Sequence, residues 1–384
     1  MALFSTGDPA DGSPANEETK SRAPIKRGVV VGRILLVIAF AAILVLSLSP
    51  APYVIEQPGP VFNTLGYDQQ VWPSTDAAPN KKPLISIPHE KTYPTSGALD
   101  LLTVGVVGNP KQLPSWLDVV GAWFTSSKAV IPVDVAYPPS VSVDEQNAEN
   151  AQMMVDSQKD AVAAALNQLG YTFPQKVAVK QIINGSPADG KLQVGDDIVS
   201  VNGKKVAGVQ ALRDALAKNG HTKAAAIGVE RDGTTSTVNV TPELNQGSVI
   251  LGIGAGMDYT FPIDVKIQLD DVGGPSAGQM FALGIIDKLS SGKLNGGAHV
   301  AGTGTIDNEG NIGAIGGIQQ KMYGARSAGA DWFLAPSANC DEVRGHIPDG
   351  LTVFAVKKLT DSLKVLDVIS HKGDTSKLPN CSTH

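Results

Sequence analysis

Histidine, cysteine and aromatic residues are scarce in this 384-residue chain, which has six histidines, two cysteines and 5% aromatics. The histidines are scattered, and no His/Cys/Asp cluster has ligand spacing, so no metal is expected. Lys and Arg (31) fall short of Asp and Glu (37), giving a net charge of −6, and no basic stripe stands out. Nucleic acid is therefore excluded as an expected partner. No G-x-x-x-x-G-K-[S/T] occurs, which excludes a P-loop ATPase engine, and no cofactor is implied.

The content that is present is ordinary for a globular protein, at 42% hydrophobic and 18% charged, with room for two or three domains. One segment differs. GVVVGRILLVIAFAAILVLSLS, from Gly28 to Ser49, is long enough to cross a hydrocarbon core of roughly 30 Å. Lys20, Arg22, Lys26 and Arg27 precede it, and no Lys or Arg follows until Lys81. The positive-inside rule then puts the N-terminus in the cytoplasm and everything after the span outside. A cleaved signal peptide ending at Ser47-Leu48-Ser49 is the rival, and an uncleaved anchor is favoured because Pro50 follows at once. Cys340 and Cys381 fit an oxidising compartment. Bridged, they would close a loop of about 40 residues, for roughly 4 kcal/mol in the chain-entropy model. Two unrelated thiols are the alternative.

Beyond the span, residues 82–140 alternate short apolar runs with turn residues and read as β-rich. Glu145–Gly170 has helical periodicity. Residues 177–241 form a compact unit, with strands at Val177–Ile183, Ala225–Glu230 and Ser236–Val240, a helix at Val209–Lys218 and an Asn202-Gly203 hairpin turn. The run from GSPADG (185–190) through GDDIVSVNG (195–203) resembles a PDZ domain of bacterial envelope proteases. That resemblance implies a groove that pairs an extended peptide as an extra strand. Its glycine-rich carboxylate loop is expected before the Val177 strand, where Gly170-Tyr171-Thr172-Phe173 is the nearest match. The last 140 or so residues alternate strands and helices as one α/β domain. Strands are expected near 248–252, 263–269, 298–306, 331–335 and 351–356, and helices near 275–290, 317–328, 339–344 and 360–370.

The chemistry lies in that last part. Gly274-Pro275-Ser276-Ala277-Gly278 opens one expected helix, and Gly313-Ala314-Ile315-Gly316-Gly317-Ile318-Gln319-Gln320-Lys321 opens another. Pro275 suits a first helical position, which would set Ser276 among unpaired amides able to hold an oxyanion. Gly274, Pro275 and Ala277 are the backbone expected around it. Lys321 borders an apolar face made by Ile318, Met322 and Ala325. Burial there would bring its pKa down from about 10.4 toward the range a general base needs.

GPSAG, then Thr303-Gly304-Thr305-Ile306, then Ile315-Gly316-Gly317 leading to Lys321, resembles the proteolytic domain of Lon proteases in order and spacing. The resemblance implies a Ser276–Lys321 dyad, with Thr303 as a supporting residue, and commonly a ring-like homo-oligomer. Lon enzymes usually carry an acidic residue three positions before the serine, whereas this chain has Gly273 there and Asp270 and Asp271 slightly earlier.

The whole layout is similar to the membrane-bound PDZ–Lon proteins of Gram-positive bacteria. The expected architecture is an α/β Lon-type proteolytic domain preceded by a PDZ-like α+β module and one N-terminal transmembrane helix. Its divisions are a disordered cytoplasmic tail (1–27), the span (28–49), a β-rich extracytoplasmic region (50–144), a helix plus PDZ-like domain (145–245), the Lon-type domain (246–371) and a C-terminal tail (372–384). The expected activity is ATP-independent cleavage of unfolded or exposed proteins and peptides outside the membrane.

Two alternatives stand beside it. GPSAG also satisfies the G-x-S-x-G nucleophile elbow of an esterase, with His299, His346, His371 and His384 available downstream. A non-catalytic envelope scaffold is the other.

Overall fold

The computed structural model describes residues 27–73, 81–139, 141–269 and 272–381. The tail expected over 1–27 lies outside them apart from Arg27, as do Asp270 and Asp271. The apolar run is one helix, α1 (Arg27–Leu48). Its Val30–Leu48 stretch, of mean hydropathy 2.7, is long and apolar enough to cross a membrane and is not buried against the protein.

Past it come β1 (Tyr53–Asn63), β2 (Ala98–Val107), α2 (Trp116–Trp123) and α3 (Val143–Gln168). Then follow β3 (Gln175–Ile182), β4 (Asp197–Val201), α4 (Val209–Asn219), β5 (Ala225–Arg231), β6 (Thr234–Val240) and β7 (Ile253–Tyr259). The chain closes with α5 (Gly278–Leu289), β8 (His299–Gly302), α6 (Ile318–Ser327), β9 (Trp332–Pro336), β10 (Thr352–Val356) and α7 (Leu359–Ser370).

The main sheet runs β10-β9-β8-β2-β1, with Gln70–Trp72 beyond β1 and Ala129–Pro132 beside its first half. β10, β9, β8 and β2 are parallel neighbours, and β1 joins antiparallel. Strand alternation splits the core into two layers. Leu101, Val300, Leu334 and Phe354 face α5, α7 and the second half of α3. Leu102, Ala301, Phe333 and Val353 face α6. The β-rich region expected as a separate unit over 50–144 is thus corrected, because β1 and β2 are the middle of the sheet that the last third of the chain completes. Short apolar runs mark strands but carry no record of which strand they pair with.

A second, antiparallel sheet runs β6-β5-β4-β3-β7 over a core that includes Val179, Ile198, Leu212 and Ile227. Its end strand corrects the expected boundary at residue 245. β7 pairs along the whole of β3, with Tyr259 opposite Gln175 and Ile253 opposite Ile182. The Thr260 amide donates to the Pro174 carbonyl at 3.1 Å, so the chain enters and leaves this module at adjacent points. The module is an insertion between α3 and α5, not a bead between linkers.

α3 begins at a capping box in which Ser142 and Glu145 each bind the other's backbone amide. Downstream, the strand expected at 263–269 shrinks to Lys266–Ile267, and that at 298–306 breaks at Thr303-Gly304. The C-terminal segment is not a loose tail up to Cys381. Cys340 and Cys381 are joined by a disulfide, Leu378 is buried, and the Cys381 amide donates to Val353 O on β10.

Candidate active site

Ser276 lies in a turn ahead of α5 rather than in its first helical turn. The helix starts at Gly278 with Ala277 as its cap, because the Gly278 and Gln279 amides are taken by Pro275 O and Gly304 O. The expectation that Pro275 opens the helix is therefore corrected by three residues.

α3 holds this turn from outside. The Gly274 amide donates to Asn150 O at 2.8 Å, and Ser157 Oγ donates to Pro275 O at 2.9 Å. From the other side, the Gly304 amide and Thr303 Oγ1 donate to Ser276 O at 2.9 and 3.0 Å. The break between β8 and the strand after it is what turns the Thr303 hydroxyl inward. Of the three backbone positions expected at the oxyanion, Gly274 has committed its amide to α3 and Pro275 has none to offer. Ala277 keeps its amide uncommitted among the described residues.

Lys321 comes from the first turns of α6. Gly317 caps that helix in the left-handed region (φ 67°), where a Cβ would meet Val104 at 2.6 Å. Ile318 and Met322 are fully buried beside Lys321, which is itself only 3% exposed. Its Nζ lies 2.7 Å from Ser276 Oγ and 3.2 Å from Thr303 Oγ1. Burial pushes the ammonium down to about 7, with the Glu56 carboxylate pulling the other way. A neutral amine at that distance can accept the hydroxyl proton, the requirement for an activated serine.

Glu56 is a residue that the sequence did not point to. It lies on β1, far upstream of either motif, and its own carboxyl is raised by burial and lowered by Lys321. Glu56, Ser276 and Lys321 line one cleft of about 530 Å³, together with Thr103–Val106 of β2. β8 pairs β2 only up to Leu101, so residues 102–107 have a ladder on the β1 side alone. Among the described residues a free strand edge therefore runs along the cleft, a ready template for an extended peptide.

None of the histidines weighed for an esterase reaches Ser276 among the described residues. His299 is bound to Asp100, and His371 to Ser370 and Asp367; His384 lies outside the described residues.

The inserted module has its own groove. β7 ends the sheet, and Ala255, Gly256 and Met257 on it face Val209, Gln210 and Arg213 of α4 across a cleft of about 580 Å³. The strand beside β3 thus follows the rest of the module in sequence, preceded by Leu251-Gly252. Gly170–Phe173, the carboxylate-loop candidate, is corrected accordingly. Gly170 ends α3 in the left-handed region, and half-buried Phe173 packs on Tyr259 and Phe261 against the core. The groove's other walls belong to the main domain. They are Met153, Asp156 and Asp160 of α3, the Pro275 turn and residues 305–307 and 311–313. Tyr259 at the end of β7 donates to Asp160 on α3, whose carboxyl burial raises to about 6.

Comparisons agree with the two modules. A family model of the PDZ domain matches residues 143–241, and one of the Lon protease (S16) C-terminal proteolytic domain matches residues 270–368. A Lon protease of Buchnera aphidicola is 32% identical over 120 residues, covering 29% of this chain and 15% of that protein. Lon protease 2 of Herpetosiphon aurantiacus is 34% identical over 110 residues, covering 27% of this chain and 13% of that protein. The chain thus spans about 15% of the length of these curated relatives. Among solved structures, the PDZ domain of an SdrC-like protein from Listeria monocytogenes is 17% identical over 22% of this chain and 92% of that one, with a TM-score of 0.21.

Proposed function

We propose that this chain, which joins a PDZ domain to a Lon-type proteolytic domain, is a membrane-anchored serine endopeptidase working by a Ser276–Lys321 dyad. The observation that carries the reading is the 2.7 Å approach of a buried lysine amine to a half-buried serine hydroxyl. Ser276 Oγ attacks the scissile carbonyl as Lys321 takes its proton, and the ammonium then gives a proton to the leaving amine. The Ala277 amide stabilises the oxyanion. Thr303 ties the Ser276 carbonyl to the lysine, which fixes the hydroxyl's direction.

The substrate enters extended, pairing with the free edge of β2 between residues 102 and 107. No GxxxxGK[ST] occurs in this chain, so nucleotide is not needed for cleavage and the substrates are already unfolded or exposed. The β7–α4 groove recruits their peptide tails. α1 anchors the enzyme, with the N-terminus in the cytoplasm and both folded modules outside. Assembly into a homo-oligomer accompanies the Lon-type domain.

The test uses the full chain in detergent with an unfolded protein and no nucleotide. Cleavage is expected from wild type and from a variant lacking His299, His346 and His371. It is expected to vanish in Ser276→Ala. Cleavage retained by Ser276→Ala would sink the dyad.

The pH profile gives a second check. kcat/KM on a short fluorogenic peptide is expected to rise with pH through a midpoint near 7, as the lysine loses its proton. Glu56→Gln removes the charge that favours the ammonium, so the midpoint moves to lower pH.

A further inference from the structure

An apolar surface stands where α1 meets the folded chain, and none of its residues lines either cleft. Between Lys111 and Lys128 the only charged residue is Asp118, and that carboxylate is occupied by the Ser115 amide and hydroxyl at the start of α2. One face of α2 is buried on β1, where Val119 and Ala122 pack against Ala51 and Ile55. The other face is open, with Leu117 42% exposed, Trp123 58% and Phe124, just past the helix, 87%. Leu117, Val120 and Phe124 follow each other at helical spacing, so they make one stripe.

Backbone hydrogen bonds fix where this stripe sits. The Trp116 amide donates to Ser49 O at 3.1 Å, and the Ala51 amide donates to Pro114 O at 2.9 Å. Ser49 is the first residue after α1, so α2 starts at the end of the apolar helix. An eight-residue helix is about 12 Å long, which keeps all of α2 near that end. The short helix Val133–Ala136 is tied to the same place by the Val133 amide on Pro52 O, and it exposes Val135. Tyr53, Trp116 and Trp123 pack edge-to-face beneath.

We infer that α2 and the Val133–Ala136 turn lie in the headgroup–acyl boundary of the bilayer that α1 crosses, seating the folded modules on the lipid surface. This rests on the reading of α1 as a span. A lipid surface fits better than a protein partner because the patch is hydrogen-bonded to the point where the chain leaves the hydrocarbon. Exposed tryptophan, phenylalanine, leucine and valine, with Asp118 and Asp134 the only charges on the two helices, are apolar side chains which that boundary takes. Seated there, α2 holds the protein at two points rather than by one swivelling link.

The test reconstitutes the full chain in phosphatidylcholine vesicles carrying bromine either high (6,7) or low (11,12) on the acyl chains, and reads tryptophan fluorescence. Wild type is expected to lose about a third of its emission to the high bromines and less to the low ones. Trp123→Phe, which keeps an aromatic ring, is expected to lose at most half as much. Resistance to alkaline extraction reports on α1 separately. Equal quenching in wild type and Trp123→Phe, with the protein retained in the membrane, overturns the proposal while leaving the span intact. Release of the protein by alkali removes the span, and the proposal with it.

Discussion

Replacing Lys321 by methionine is expected to cut kcat by about 10³-fold while making the protein more stable. The rate loss follows from removing the only base within reach of Ser276 Oγ among the described residues, a contribution of roughly 10²–10⁴-fold for a positioned general base. The stability gain follows from linkage. Folding lowers the lysine from about 10.4 to about 7, so the unfolded chain binds the proton more tightly than the native one. The resulting penalty is complete below pH 7 and fades as pH climbs toward the unfolded value. At about 1.4 kcal/mol per pH unit, it reaches on the order of 4 kcal/mol at neutral pH and below. Methionine fills a similar volume with no charge to desolvate, so its unfolding free energy should exceed that of wild type by roughly 3 kcal/mol at pH 7. The difference should narrow as pH rises from 7 to 10. Denaturant titrations across that range check it, and a wild type as stable as the variant at pH 7 would mean that the ammonium is solvated.

Excising the inserted module is expected to separate peptide cleavage from protein turnover. Pro174 and Thr260 are already hydrogen-bonded across the point where the chain enters and leaves. Two or three glycines in place of residues 175–259 should therefore close the gap without moving α3. The two bonds from α3 to the nucleophile turn, at Asn150 and Ser157, stay in place. Asp160 loses Tyr259 and becomes exposed, so its carboxyl falls back toward the ordinary range. The shortened enzyme should cleave a small fluorogenic peptide within about 3-fold of wild type. For unfolded proteins KM should rise by about 10-fold or more, as recruitment through a second linked site is lost. Unchanged protein turnover would make the module a spacer. Loss of peptide cleavage in a folded variant would show that the groove wall itself supports the nucleophile turn.

The approach of Lys321 to Ser276 was legible in the sequence because each sits in a motif whose glycines fix the backbone near it. Gly317 is one example, since only a residue without Cβ fits beside Val104 there. The apolar helix α1 was legible from its length and composition, and α3 from its period, although its Ser142/Glu145 start was not read. Three things were not. Glu56 lies in a strand that looks like any other, and what brings it to Lys321 is the antiparallel pairing of Ile55–Asn63 of β1 with β2. β7 reads as a glycine-rich stretch, Ile253-Gly254-Ala255-Gly256, with little β propensity, and its pairing to β3 supplies what its own residues do not. Ser276 was expected inside a helix because Pro275 favours a helical start. Tertiary hydrogen bonds from Asn150, Ser157 and Gly304 hold it in a turn instead.

β1 carries a consequence for which bonds are cut. Leu48 ends α1, and Glu56, in the catalytic cleft, follows eight residues later on a strand that starts at Tyr53. An extended chain of that length reaches at most about 29 Å. With α1 in a bilayer, the nucleophile works at a fixed altitude, with no long tether to vary it. On the proposed reading, a protein sharing that membrane would be cut where about seven or eight extended residues beyond its own span bring a bond to that height. On that reading, distance from the lipid joins sequence in selecting the cleavage site, and search for membrane-bound substrates is confined to two dimensions.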